Sequence, residues 1–213
     1  MRALKQDRAE QTRQRLLRAA AEVFDELGYA GTSVTKIVQR AGVTPGAMYF
    51  HFKSKDDLAR AVIRAMPDTV LPLTEGSGLQ HLVDVILVWS QQLQHNPMMR
   101  AGVRLVVEQS AFGQSDASSF RDWERILTES LVKAQELGQL RDSVVPEEVA
   151  QLVLGATTGI QQYSLIASGR QDLPQRVESL FRILVSGIAP EEVADMIDAS
   201  VERGIRLYEA GPQ

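Results

Sequence analysis

Two short helices joined by a turn of three residues are the feature that most constrains this chain. Thr32 or Ser33 can cap the first helix, and Gly42 ends it in the left-handed conformation that glycine adopts readily. Thr44 can cap the second helix, and Pro45 occupies its first turn, where a missing N–H costs no hydrogen bond. This spacing predicts a helix-turn-helix.

The rest of the chain also carries helical rather than strand patterns. Apolar residues recur at helical spacing from about Arg8 to Leu27, with Gly28 as a C-terminal cap. Ser54 can cap a fourth helix from Lys55 to Met66. Further helices are predicted at 78–95, 97–111, 119–137, 146–168, 174–188 and 190–209, with a loop at 112–119. The fold class predicted is all-α.

Composition divides the chain into two parts. Prolines and glycines between residues 66 and 78 predict a boundary, with a three-helix DNA-binding head at 1–66 and a larger helical bundle at 67–213 for ligand binding and dimerisation. Residues 1–60 hold 11 Lys and Arg against 7 Asp and Glu, a net +4, whereas the remaining residues hold 12 against 20, a net −8. A basic head on an acidic body is typical of a module that binds phosphates.

The second helix of the pair has the composition of a helix that enters the major groove of DNA. Gly46 and Ala47 leave its N-terminal end uncluttered, so its backbone can approach the duplex. Hydroxyl, imidazole and ammonium donors for phosphates are expected from Thr44, Tyr49, His51 and Lys55. Phe50 and Phe52 are expected to hold the helix on the core. Taken singly, Tyr49 and His51 could equally be ordinary surface or core residues.

Several other classes of protein are excluded by what the sequence lacks. With no cysteine there is no disulfide, thiolate metal site or thiol nucleophile, and the three histidines show no metal-ligand spacing. Enzyme signatures such as GxSxG and GxxxxGKS are missing, so no catalytic residue, metal or cofactor is expected. No apolar run is long enough to span a membrane, and the first residues do not resemble a secretory signal. We expect a cytoplasmic protein, nucleoid-associated when bound to DNA.

The segment TSVTKIVQRAGVTPGAMYFHFKSKDDL resembles the signature of the TetR family of one-component repressors, over roughly residues 10–66. The resemblance implies a homodimer on palindromic double-stranded operator DNA. It places Thr44, Gly46, Ala47, Tyr49, His51 and Lys55 against the duplex, with Thr32 and Thr35 near a phosphate. One departure is Pro45, where many relatives have lysine, so one basic contact is missing.

Further segments resemble the γ-butyrolactone receptors of antibiotic-producing filamentous bacteria: PMMRAGVRL from Pro97, FRDW ending at Trp123, and the helix around Gly155 and Gly159. In those receptors the residue matching Trp123 covers a signalling lactone, which implies control of secondary metabolism; plain core packing is the alternative. Polar residues on apolar helices and two further apolar positions complete the predicted pocket: Gln109, Thr157, Gln161, Trp89 and Leu105. The polar three could instead face solvent or bond their own helix.

These patterns predict a repressor that is released from its operator by a small effector. The helices at 146–168 and 174–188 are expected to form the dimer, and ligand binding is expected to change the spacing of the two heads. The effector expected is a γ-butyrolactone-type hormone. The alternative is a pseudo-receptor or an efflux-type repressor that responds to an antibiotic or another hydrophobic compound.

Overall fold

A computed structural model describes residues 2–109 and 116–211, with side chains from residue 7 onward, and these residues form helices and no strand. The α-helices are α1 Arg2–Gly31, α2 Val34–Ala41, α3 Pro45–His51, α4 Lys55–Arg64, α5 Leu79–His95, α6 Pro97–Val107, α7 Ser118–Glu136, α8 Pro146–Ser168, α9 Leu173–Ile188, α10 Glu191–Ala194 and α11 Val201–Ala210. Two 3₁₀ turns, Pro67–Thr69 and Leu71–Leu73, precede α5. The predicted all-α class is confirmed.

The chain folds into two compact units that interleave along the sequence. The first contains α1 to α4 and α6, over Met1–Met66 and Asn96–Ser119, and the second contains α5 and most of α7 to α11, over Pro67–His95 and Phe120–Gln213. The predicted DNA-binding domain, residues 1–66, and ligand-binding domain, residues 67–213, are each continuous in sequence, unlike these two units. Which residues bind DNA and which bind ligand stays a prediction.

The first unit has a core built from one apolar stripe of each helix. The side chains of Leu16, Phe24, Ile37, Met48 and Leu58 are fully buried. Helix α6 packs against both α1 and α4, and Gly102 of α6 lies so close to the Met66 side chain that a Cβ there would overlap it. The head helices therefore share one core with α6.

The second unit is organised around α5, which is buried on nearly all sides. Helices α9 and α11 pack against it. Its one buried carboxylate, Asp84, accepts hydrogen bonds from Arg203 of α11 at 2.6 Å from Nε and 2.7 Å from Nη2. This bidentate salt bridge attaches α11 to α5 at the centre of the unit.

Two of the predicted helices differ from the structure. Helix α1 begins at Arg2 rather than near Arg8; the backbone leaves the helical conformation at Gly28, as predicted, with φ 67° and ψ −178°, values open mainly to glycine, and a further short helical segment runs on to Gly31. The helix predicted over 190–209 is divided into α10 and α11, because the Asp198 carboxylate accepts from the Ser200 backbone N–H at 3.0 Å and Ser200 then caps α11. Half of the predicted loop at 112–119, residues 112–115, lies outside the described residues, and its last two residues already belong to α7.

Candidate nucleic-acid interface

The turn between α2 and α3 is fixed at both ends by helix caps. Gly42 adopts φ 62° and ψ 39°, and its N–H donates to the Gln39 carbonyl at 3.1 Å. At the start of α3 the Thr44 hydroxyl accepts from the Ala47 N–H at 3.2 Å, with Pro45 as the first helical residue. The two ends together set the direction of α3.

A buried side of α3 attaches it to the first unit. Met48 is fully buried and Phe52, four residues on, is 3% exposed. The Arg13 guanidinium of α1 lies 5.5 Å from the centre of the Phe52 ring. Phe50, in contrast, is 79% exposed, so the prediction that it holds the helix on the core is wrong. Residues 48 and 52 share one face at a spacing of four, and residue 50 falls half a turn away.

The predicted DNA-facing residues of α3 lie on or beside its exposed side. Gly46 is exposed, Tyr49 is 58% exposed, and Ala47 and His51 are half-buried. Thr44 and Thr35, a residue of α2, are exposed as well. These six residues therefore lie on the surface, where their side chains or backbones are open to a partner.

Two predicted contacts, Thr32 and Lys55, take part in packing inside the first unit. Thr32 is 4% exposed, and its hydroxyl donates to the Gly28 carbonyl at 2.7 Å, at the kink of α1. The Lys55 ammonium donates to the carbonyls of Tyr29 and Thr32, both at 3.0 Å, and lies 3.9 Å from the centre of the Tyr29 ring. Both residues therefore hold the end of α1 against the start of α4.

Tyr29 completes this network and was not identified from the sequence. Its hydroxyl donates a short hydrogen bond to the Asp56 carboxylate of α4. Burial, reinforced by this bond and by the charge of Asp56, raises the pKa of the Tyr29 phenol to about 12. No local pattern connects residues 27 positions apart, which is why sequence reasoning missed the pair.

A second set of missed residues joins α6 to the kinked end of α1. Arg100 donates to the Asp25 carboxylate at 2.8 Å, and Arg104 donates to the Asp25 carbonyl and the Glu108 carboxylate, both at 2.8 Å. Glu108 in turn accepts from the Tyr29 N–H at 2.7 Å. These bonds satisfy backbone groups that the kink in α1 exposes.

Basic side chains near α2 have structural partners as well. Arg15 donates to the Ala41 carbonyl at 2.8 Å, which caps the C-terminal end of α2. Arg40 forms a two-pronged pair with Glu26 at 2.8 Å for both bonds, and its hydrogen bond lowers the pKa of that exposed carboxyl. Part of the positive charge of the head is thus neutralised within it.

The predicted ligand residues are divided between the two units. Leu105, which is buried, and Gln109, which accepts from the Asp116 N–H at 2.9 Å, belong to the first. In the second unit the side chains of Trp89, Trp123, Thr157 and Gln161 are each at most 8% exposed. The Thr157 hydroxyl donates to the Val153 carbonyl of its own helix at 2.8 Å, and Gln161 accepts from Arg170 at 3.5 Å. Both polar side chains therefore lie inside the second unit.

Helices α8 and α9 present an apolar surface on the second unit. Ile166 is 78% exposed, Ile183 71% and Tyr163 60%. Gly155 and Gly159 have no atom within 4 Å of where a Cβ would stand. Several large apolar side chains exposed on neighbouring helices are typical of a protein–protein contact.

Among the residues that the structure describes, no helix is long and apolar enough to cross a membrane. The same residues contain no cluster of three or more His, Cys, Asp or Glu side chains that could hold a metal ion.

Comparison with known proteins identifies matches over both parts of the chain. Residues 16–62 match the family described as bacterial regulatory proteins, tetR family, and residues 87–189 match the MftR C-terminal domain. The A-factor receptor protein of Streptomyces griseus is 39% identical over 185 residues, which cover 87% of this chain and 66% of that receptor. The chain thus spans about two thirds of the receptor's length.

Solved structures extend the similarity to the whole fold. TylP, a TetR regulator from Streptomyces fradiae, superposes with a TM-score of 0.88 at 38% identity, covering 95% of this chain and 98% of that one. A γ-butyrolactone receptor described as an ArpA-like protein superposes with a TM-score of 0.68 at 28% identity, covering 94% and 98%.

Proposed function

The chain belongs to the tetR family of bacterial regulatory proteins, and we propose that it is a dimeric repressor released from palindromic operator DNA by a γ-butyrolactone-type molecule. The observation that carries the DNA-binding half is helix α3, which is capped and buried on one side and open on the other. Such a repressor acts on DNA in the cytoplasm.

In this proposal α3 enters the major groove with its N-terminal end first. Gly46 and Ala47 let the backbone approach base edges, and Thr44, Tyr49 and His51 donate to phosphates on either side. In the same complex Thr35 of α2 lies near a phosphate of the duplex. The Lys55 ammonium donates two of its three N–H groups to carbonyls within the head, and the third is proposed to donate to a phosphate. The buried Thr32 supports this contact, because its carbonyl accepts from the Lys55 ammonium and its hydroxyl donates to the Gly28 carbonyl.

The dimer is proposed to form through α8 and α9. Their exposed apolar side chains, with the open glycines between them, allow two copies to pack closely about a twofold axis. A twofold protein matches a palindromic operator whose half-sites lie about one turn of DNA apart. The substitution Ile166→Asp would place a carboxylate in this contact and is expected to shift the protein from dimer to monomer in sedimentation experiments.

The effector is proposed to be a γ-butyrolactone or a close chemical relative. Support comes from the likeness to the A-factor receptor and to the γ-butyrolactone receptor, and from the burial of two polar side chains, Thr157 and Gln161, inside the second unit. A rigid indole such as that of Trp123 offers an apolar face for an alkyl-substituted ring. Gln109, Trp89 and Leu105 stay further predictions for this site.

A gel-shift experiment tests the proposal. The protein is incubated with DNA from upstream of its own gene, and the complex is then challenged with synthetic γ-butyrolactones and, separately, with antibiotics. We expect Tyr49→Ala to bind the DNA at least tenfold more weakly, while Met196→Ala, a change at another exposed site, leaves binding as in the wild type. Equal binding by both variants would remove Tyr49 from the interface, and release by an antibiotic alone would identify the alternative effector class.

A further inference from the structure

The exposed side of α3 is aromatic and uncharged. Its exposed residues are Pro45, Gly46, Tyr49 and Phe50, which recur at the spacing of one helical face. Phe50 is the most exposed of the large apolar side chains that the structure describes, at 79%. The seven residues of α3 include no Arg, Lys, Asn or Gln.

The position of Phe50 on the surface is fixed by the packing and the caps of α3. Burial of Met48 and Phe52 fixes the rotation of α3 about its axis, and the Thr44 and Gly42 caps fix its direction. The ring packs edge-to-face against His51, with 5.0 Å between ring centres and 88° between planes. Phe50 therefore stands next to Gly46, one turn earlier, on the side where the backbone is most open.

The chemistry of base recognition limits which bases the exposed side of α3 can recognise. Guanine and adenine are read in the major groove mainly by Arg, Lys, Asn or Gln, which α3 lacks, whereas the apolar feature of the groove is the C5-methyl group of thymine. We propose that Phe50 is a specificity-determining residue that packs on a thymine methyl in each operator half-site. This inference rests on the proposed function, because it requires α3 to enter the major groove.

The test compares thymine with uracil, which differs only by that methyl group. Wild-type protein selects binding duplexes from a randomised library, and the selected duplex is then synthesised with either dT or dU at every thymine position. Burying one methyl-sized group is worth about 0.8 kcal/mol, or about fourfold in affinity, so a dimer with two half-sites should bind the dT duplex about fifteenfold more tightly. Phe50→Ala should bind the two duplexes equally.

Tyr49→Phe is the matched control on the same helix face. It keeps an aromatic ring but removes a hydroxyl, so it should weaken binding to both duplexes by the same factor and keep the wild-type preference for dT. Because the Phe50 ring is exposed, Phe50→Ala should keep the wild-type thermal unfolding midpoint.

Two results would overturn the inference: equal binding of both duplexes by the wild type, or an unchanged dT preference in Phe50→Ala. Failure to select any duplex would instead overturn the proposed function. The two failures are therefore distinguishable.

Discussion

Replacing Lys55 with Met tests whether this residue stabilises the folded protein or only contributes to DNA binding. The ammonium makes two hydrogen bonds at 3.0 Å to backbone carbonyls at the end of α1 and lies 3.9 Å from the centre of the Tyr29 ring. Methionine keeps most of the apolar stem and removes all three interactions. The carbonyls of Tyr29 and Thr32 then lose their charged donor.

The size of the effect follows from these contacts. A hydrogen bond from a charged group contributes about 1.5–3 kcal/mol when buried, and a cation over an aromatic ring about 0.5–2 kcal/mol. Since Lys55 is only half-buried, solvent screening reduces each contribution. We expect Lys55→Met to lower the free energy of unfolding by about 2–3 kcal/mol.

Urea unfolding followed by helical circular dichroism measures this loss. The matched control is Lys53→Met, at an exposed position two residues earlier, which should change stability by less than about 0.5 kcal/mol. If the two variants unfold at the same urea concentration, Lys55 has no structural role of the kind described here.

The remaining predictions concern the second unit. Arg203→Met should cost about 3 kcal/mol in thermal or urea unfolding, because it leaves the buried Asp84 carboxylate without its bidentate partner; a loss below about 1 kcal/mol would show that water and the hydrogen bond that Gln80 Nε2 already donates to Asp84 at 2.8 Å are enough for this carboxylate. Burial lowers the pKa of His81 below its usual 6.5, so the folded protein favours the neutral ring. The stability this gives is complete above pH 6.5 and is lost as the pH falls through the lowered pKa. The melting temperature of the wild type should therefore drop more than that of His81→Gln between pH 8 and pH 5, and parallel curves would refute this.

Features that depend on neighbouring residues could be predicted from the sequence. The caps Thr44 and Ser54 and the left-handed Gly42 were identified because a helix end is decided within a few residues. The break between α10 and α11 carried the same kind of signal, in Asp198 and Ser200, but the apolar spacing across it favoured one long helix.

Features that depend on distant residues could not be predicted. Phe50 was expected in the core because of its residue type, whereas its exposure is decided by which face of a seven-residue helix Met48 and Phe52 occupy. The packing of Lys55 against Tyr29 joins residues 26 positions apart. The Asp84–Arg203 pair joins residues 119 positions apart. Such contacts exist only once the helices have packed.

Reciprocal binding of DNA and effector is the strictest test of a repressor that a small molecule releases from its operator. Fluorescence anisotropy gives the Kd for a labelled operator duplex with and without a saturating γ-butyrolactone, and calorimetry gives the Kd for the lactone with and without saturating DNA. Because two coupled sites change each other's affinity by the same factor, both Kd values should rise equally, and by at least tenfold. An operator Kd that the lactone leaves unchanged would refute release of the repressor by this class of effector.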